Sequence, residues 1–150
     1  MSSRLTAIFK PSKPRQKILV SPGYGAGWVT WAFSDDTAFL AWMVTYQPLI
    51  DHVEDDARFQ ESRDRTQVQC WKSDEYVEAS RWREYMALEK ASILEQFDRE
   101  AKGRFGVQET RHCGVKQLRV AEVDGPFMLM EYDGSESVVY LAHRDIIPLG

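Results

Sequence analysis

Three glycines (Gly23, Gly25 and Gly27) stand within five residues of one another in the segment SPGYGAGW. Glycine can adopt positive φ and lets other groups approach the backbone closely, and loops of this kind cradle phosphates in some proteins. A P-loop requires Gly-Lys-Ser/Thr, and a dinucleotide fingerprint requires a following helix. Here Trp28 opens a β-type run, WVTW. The pattern favours a glycine turn whose tryptophans seal the core, with a phosphate cradle and a partner-binding lip as alternatives.

Aromatic residues flank this bare backbone. Tyr24 and Trp28 provide large flat faces, which are common on recognition surfaces. If the loop contacts a ligand or a partner, we expect Tyr24, Gly25 and Trp28 to make the contact.

No set of residues in the sequence has the spacing of a known catalytic or metal site. The histidines (His52, His112 and His143) are far apart and lack metal-ligand spacing, and no G-x-S-x-G motif is present. The two cysteines, Cys70 and Cys113, are expected to be small core residues in a reducing compartment. We predict no metal and no cofactor. A non-enzymatic role is favoured. A catalytic site formed by residues that are distant in the sequence and meet only in the folded protein remains the alternative.

Charge is distributed unevenly along the chain, whose net charge is −4. Residues 1–34 carry five bases and no acid, which leaves −9 for the remainder. Six acids and no base lie between residues 35 and 56. This asymmetry predicts an acidic face that docks on a basic surface of another protein. The alternative is that the acidic residues only keep the protein soluble. The candidate contact residues in this face are Asp51, Glu54, Asp55 and Asp56.

Nucleic-acid and membrane partners are not predicted. The basic N-terminal segment, together with Tyr24 and Trp28, could bind a single strand, but the acidic remainder would repel phosphate. The N-terminus lacks a hydrophobic signal core, and no apolar run approaches the ~18 residues that span a bilayer. We therefore expect an intracellular protein.

Periodicity and turn signals predict strands at both ends of the chain and helices between them. One helix begins at Ser34 and is interrupted by Pro48. A longer helix over 73–102 is closed by Gly103. Its predicted core stripe is Ala79, Trp82, Met86, Ile93 and Phe97, and the predicted strands are 17–21, 27–33, 66–71, 117–123, 127–132 and 137–142.

These elements predict a single α+β domain over residues 17–150, with helices packed on one face of a largely antiparallel sheet. The sheet combines an N-terminal hairpin, turned by the glycine loop, with a C-terminal three-strand meander. Asp-Gly pairs turn that meander twice. Residues 1–16 are predicted to be a basic arm, either flexible or an edge segment.

Three blocks of the sequence resemble a family of small bacteriophage proteins without an established activity. The blocks are SPGYGAGW (21–28), TYQPLI (45–50) and VDGPFMLMEYDGSES (123–137), and together they cover 29 of 150 residues. The chain departs from the family over about 57–91. The resemblance implies a phage or prophage origin and hence the host cytoplasm. It also implies that the sequence EYDGSE is preferred for more than its ability to form a turn, which makes Glu131, Asp133 and Glu136 candidate contacts. If the resemblance is set aside, Asp133 is expected to serve the turn and the two glutamates are expected to stay exposed to solvent.

The functional prediction from sequence is a phage-encoded, non-enzymatic binding protein that inhibits or redirects a host factor. A host defence system acting on nucleic acid is the first target to consider, by analogy only. The contacts would come from the acidic face and the glycine and aromatic loop. The alternative is a protein that binds or degrades a small nucleotide-like ligand at the glycine loop.

Overall fold

A computed structural model describes the backbone of residues 4–5, 8–32, 34–61, 67–70 and 75–140, and the side chains of 8–32, 34–58, 81 and 83–140. The elements within these ranges follow one another as strands, helices and strands. They are β1 (Arg4–Leu5), β2 (Gln16–Val20), α1 (Thr37–Val44), α2 (Gln47–Glu61), β3 (Gln67–Cys70), β4 (Glu75–Glu78), α3 (Ala79–Phe105), a short 3₁₀ helix (Val115–Gln117), β5 (Arg119–Val123), β6 (Phe127–Tyr132) and β7 (Ser135–Tyr140).

Helices combined with antiparallel strand pairs confirm the α+β fold. Strand β6 lies between β1 and β7 in one sheet, β2 pairs with β5, and β3 pairs with β4. The β6–β7 hairpin turns at Asp133 and Gly134, whose φ angles are 52° and 85°. Two consecutive positive φ values define the type I′ turn that Asp-Gly favours, because its twist matches that of the strands.

The strand pairing differs from the sequence prediction in two places. Residues 27–32 form turns rather than a strand, and β2 pairs with β5 instead. Strands β5 and β6 lie in different sheets, although a short turn joins them. The β2–β5 pair is fixed at its end by Arg15, whose backbone N–H donates to the Asp124 carboxylate (2.8 Å) and whose guanidinium contacts Glu122 (2.7 Å).

The N-cap of helix α1 lies two residues later than predicted, at Asp36 instead of Ser34. The Asp36 carboxylate accepts hydrogen bonds from the N–H groups of Ala38 and Phe39, so Asp36 is the N-cap. The Ser34 hydroxyl instead accepts from the Asp36 N–H (3.1 Å). The predicted interruption occurs just before Pro48, which then sits in the first turn of α2, where a missing N–H costs little.

Both ends of α3 also differ from the prediction. Residues 75–78 pair with β3, so the helix begins at Ala79 rather than near 73. At the other end, Gly103 lies inside the helix, and Gly106 ends it with a φ of 68°. The Gly106 N–H donates to the Lys102 carbonyl (3.0 Å), the bond expected of a left-handed C-terminal cap.

The predicted core stripe is confirmed where its side chains are described. Phe97 is fully buried at the centre of an aromatic cluster, with ring centroids 4.9 Å from Trp42, 5.2 Å from Tyr46 and 5.4 Å from Trp28. Met86 is also buried, and Ile93 packs against the core. The side chains of Ala79 and Trp82 lie outside the described residues.

The described parts of the basic N-terminal segment contact the sheet. Strand β1 pairs with β6, and Phe9 exchanges two backbone hydrogen bonds with Phe127 (2.8 and 3.0 Å). The Phe9 ring is buried 5.3 Å from that of Phe127. Within the described ranges, no helix has the length and apolar character needed to cross a bilayer.

Candidate functional site

A buried carboxylate organises the glycine loop (residues 21–28). Glu136, the second residue of β7, is only 3% exposed. Its Oε1 accepts a hydrogen bond from the Ser21 N–H (2.8 Å). Its Oε2 accepts from the N–H groups of Trp28 and Thr30 (both 2.9 Å) and from the Thr30 hydroxyl (2.7 Å). One side chain therefore holds both ends of the loop.

Backbone contacts attach the same loop to the β6–β7 turn. The Gly25 N–H donates to the Asp133 carbonyl (2.7 Å), and the Glu136 N–H donates to the Ser21 carbonyl (2.9 Å). The Ser135 hydroxyl donates to the Pro22 carbonyl (2.5 Å). A Cβ atom on Gly134 would collide with the loop backbone, 2.6 Å from the carbonyl carbon of Gly25. The loop and the turn therefore pack as one unit.

The backbone donors of the loop thus bind a carboxylate of the same chain, that of Glu136, and not a separate anion. Three backbone N–H groups that resemble a phosphate cradle all donate to Glu136. Burial raises the pKa of Glu136 above its usual range, and the hydrogen bonds from Thr30, Ser21 and Trp28 oppose that rise.

Three of the predicted contact residues in the glycine loop and the β6–β7 hairpin lie in the interior. Trp28 is fully buried against Phe97, and its indole N–H donates to the Met43 carbonyl (3.3 Å). Glu131 is 5% exposed, and its carboxylate accepts from the Gly134 N–H (2.6 Å). The expectation that the glutamates of this hairpin stay exposed is corrected, because Glu131 and Glu136 satisfy backbone donors of the turn and the loop.

The remaining predicted residues of the loop and the turn are exposed. Tyr24 is 68% exposed and Gly25 is exposed beside it, with a φ of 110°. On the adjoining turn, the predicted Asp133 is exposed, and its neighbour Tyr132, which the sequence analysis did not identify, is 54% exposed. We call these four residues the tyrosine edge. The Gly25–Asp133 hydrogen bond joins its two segments directly.

A shallow cavity of about 280 Å³ adjoins Tyr24 and extends to Gly114 and Lys116. His112 lines it, and its Nε2 lies 2.7 Å from Oδ1 of Asp98, so the imidazole orientation is fixed. A Cβ atom on Gly114 would lie 2.9 Å from the Ala26 carbonyl oxygen, so the cavity wall also packs closely on the loop.

The acids of α2 differ in exposure. Asp51 is exposed and accepts from the Gln47 side chain (2.8 Å), and Glu54 pairs with Lys17 (2.7 Å). Asp55 is only 9% exposed, and its carboxylate lies 3.8 Å from Arg58. An acidic docking face requires these side chains to be exposed, and Asp55 is not, because one side of α2 packs on the β2–β5 pair.

Asp56 is half-buried and lines a larger cavity between α2 and α3. Among the residues that the structure describes, no three His, Cys, Asp or Glu side chains are grouped as a metal site would require.

No family model, no curated protein and no solved structure matches this chain. Function is therefore inferred from the geometry above and from the resemblance of the three sequence blocks.

The sequence analysis did not identify Ser21 and Thr30 as partners of a buried carboxylate. The available signal was the alternation along β7, which places Glu136 on the face opposite to its exposed neighbour Ser137. A charged residue on an inward strand face requires buried partners. A glycine turn with free backbone donors can provide them.

Replacing Glu136 by glutamine should lower the free energy of unfolding by about 1–3 kcal/mol, because an amide NH₂ would face backbone donors. The pKa of the wild-type carboxyl is raised in the folded state above the usual 4.5. The stabilisation from this group is therefore fully present below the usual pKa and is lost as pH rises through the folded-state pKa. The difference between wild type and Glu136→Gln should be largest in acid and should shrink towards neutral pH.

Urea denaturation of both proteins over a series of pH values measures this difference. The exposed Glu109→Gln serves as the control and should change stability little at any pH. A difference that grew as pH rose would show that the hydrogen bonds to Glu136 outweigh its burial.

Proposed function

We propose that this protein is a non-enzymatic binding protein whose tyrosine edge contacts another protein. The observation that carries the proposal is the exposure of Tyr24 and Tyr132 on two segments joined by backbone hydrogen bonds. Tyrosine offers a large contact area with few rotatable bonds, and it is enriched among residues that dominate binding energy. Because Glu136 already holds the loop in place, binding loses little backbone entropy.

The alternative, a nucleotide-like ligand at the glycine loop, has less support. Its phosphate would need backbone N–H donors, and those of Ser21, Trp28 and Thr30 already donate to Glu136. Displacing a buried, hydrogen-bonded carboxylate would cost more than a solvated phosphate would return.

We further propose a host protein with a basic surface as the partner, in the bacterial cytoplasm. The resemblance to phage proteins supports a partner from the bacterial host, and the exposed carboxylates support a partner whose surface is basic. Asp133 lies on the tyrosine edge itself, and Asp35, Asp36 and Asp51 are exposed elsewhere. A defence system that acts on nucleic acid is the first candidate to test, because such systems carry basic surfaces.

Replacing Tyr24 and Tyr132 together by alanine should weaken partner binding by at least about 2 kcal/mol, or roughly 30-fold. Both side chains are exposed, so thermal stability should stay nearly unchanged. The full-length protein is used as bait in lysate of the bacterial host, and the affinity of the captured protein is then measured for each variant.

Leu88→Ala is the matched control, since Leu88 is 72% exposed on α3 and not on the tyrosine edge. It should retain the partner. Equal affinity of the double variant and the wild type would place the interface elsewhere. Parallel losses of stability and affinity would also count against the tyrosine edge.

A further inference from the structure

The larger cavity, which Asp56 lines, has a volume of about 530 Å³ and lies between α2, α3 and the segment that leads into β5. Its size is within the range of small-molecule sites. Part of its wall is apolar and could hold an organic group. These apolar residues are Leu49, Val53, Ala57, Val115 and Leu118.

The rest of the wall is strongly basic for a protein of net charge −4. Lys90, Lys116 and Arg119 line the cavity, and Asp56 is the acid among its lining residues. Burial lowers the pKa of Lys90, the Asp56 carboxylate raises it, and a smaller repulsion from Lys116 lowers it. Lys90 and Lys116 are therefore close enough to repel each other, and one carboxylate does not balance three cations.

The imidazole of His52 forms another part of this wall. It is 5% exposed, and its Nδ1 lies 2.8 Å from Oε1 of Glu89. The Glu89 carboxylate therefore orients the ring within the wall of the cavity.

We propose that this cavity binds a small organic phosphomonoester of nucleotide size. The charge of the lining residues, three cations against Asp56, leaves about +2, which matches the −1.5 to −2 of a phosphomonoester near pH 7. A ligand with a single carboxylate group would leave one cation of the cavity unbalanced. The apolar part of the wall would contact a nucleoside but has no counterpart in free phosphate. The proposal does not depend on the tyrosine edge.

Adenosine 5′-monophosphate is the probe for an isothermal titration with the full-length protein at low salt. Saturable binding is expected, with adenosine and inorganic phosphate each at least about tenfold weaker, because each lacks one half of the recognised chemistry. The variant Lys116→Gln with Arg119→Gln should also bind the probe at least about tenfold more weakly. Both side chains are exposed, so this variant should fold, and its thermal unfolding confirms that.

Lys102→Gln is the matched control, since Lys102 is exposed on α3 and does not line the cavity. It should bind like the wild type. A second readout is NMR titration of the Lys90 side chain, whose pKa should rise when the phosphate is bound, because the added negative charge favours the ammonium form.

No saturable binding of the probe, together with an unchanged Lys90 titration, would overturn the proposal. Binding of adenosine as tightly as its monophosphate would do the same, since it would leave the basic residues without a role. Equal affinity of the folded double variant and the wild type would also reject it.

Discussion

Replacing Phe97 by alanine should lower the free energy of unfolding by about 3–5 kcal/mol. Phe97 is fully buried, and its ring packs within 5.5 Å of the rings of Trp28, Trp42 and Tyr46. These large rings come from the glycine loop and from the region where α1 meets α2, and they cannot all move to fill the space. The variant loses the transfer free energy of the benzyl group and leaves a cavity as well. Chemical denaturation measures the change.

Leu88→Ala is the control for this measurement because it shortens a large apolar side chain on the same helix. Leu88 is 72% exposed, so its replacement should change stability by no more than about 0.5 kcal/mol. Both variants place alanine in α3, and the difference between them isolates burial. Similar small effects would show that Phe97 is not at the centre of the core.

Replacing Gly134 by alanine should cost roughly 2–5 kcal/mol, from two causes that act together. Gly134 has a φ of 85°, where an L side chain is strained by about 1–2 kcal/mol. Its Cβ would also collide with the backbone of Gly25 and Ala26, which must then shift at a further cost of about 1–3 kcal/mol. The shift would pull the glycine loop away from the β6–β7 turn.

Two other glycines separate these causes. Gly25 has a φ of 110° with open space around its Cβ position, so Gly25→Ala should show the strain without the collision. Gly103 lies in α3 with neither problem, so Gly103→Ala should stabilise the protein by up to about 1 kcal/mol. Equal losses at Gly134 and Gly25 would mean that the loop does not pack on the turn.

Local sequence determined the parts of the fold whose causes are local. The Asp133-Gly134 pair predicted a hairpin because both residues tolerate positive φ, and the hairpin is confirmed. Helical spacing predicted Met86 and Phe97 as core, and both are buried. Each prediction needed only neighbours within a few residues.

The errors arose where a distant partner overrode a local preference. Residues 27–33 have strand propensity, yet the N–H groups of Trp28 and Thr30 donate to a carboxylate 108 and 106 positions away. Ser73, Asp74 and Glu75 form a helix-start pattern, yet residues 75–78 pair with β3 as a strand. Propensity differences amount to about 1 kcal/mol or less per residue, and a buried hydrogen-bonded contact can exceed that.

The sequence alone therefore determined the α+β class, the final hairpin and part of the core. Only the tertiary structure decided that Glu136 fills the glycine loop from within, and that Lys90, Lys116 and Arg119 face one cavity. The physical reason is that the spacing of charged residues along the sequence does not show which charged groups meet in the folded protein. A carboxylate or an ammonium group acts on whatever lies within a few ångströms, and folding sets those distances.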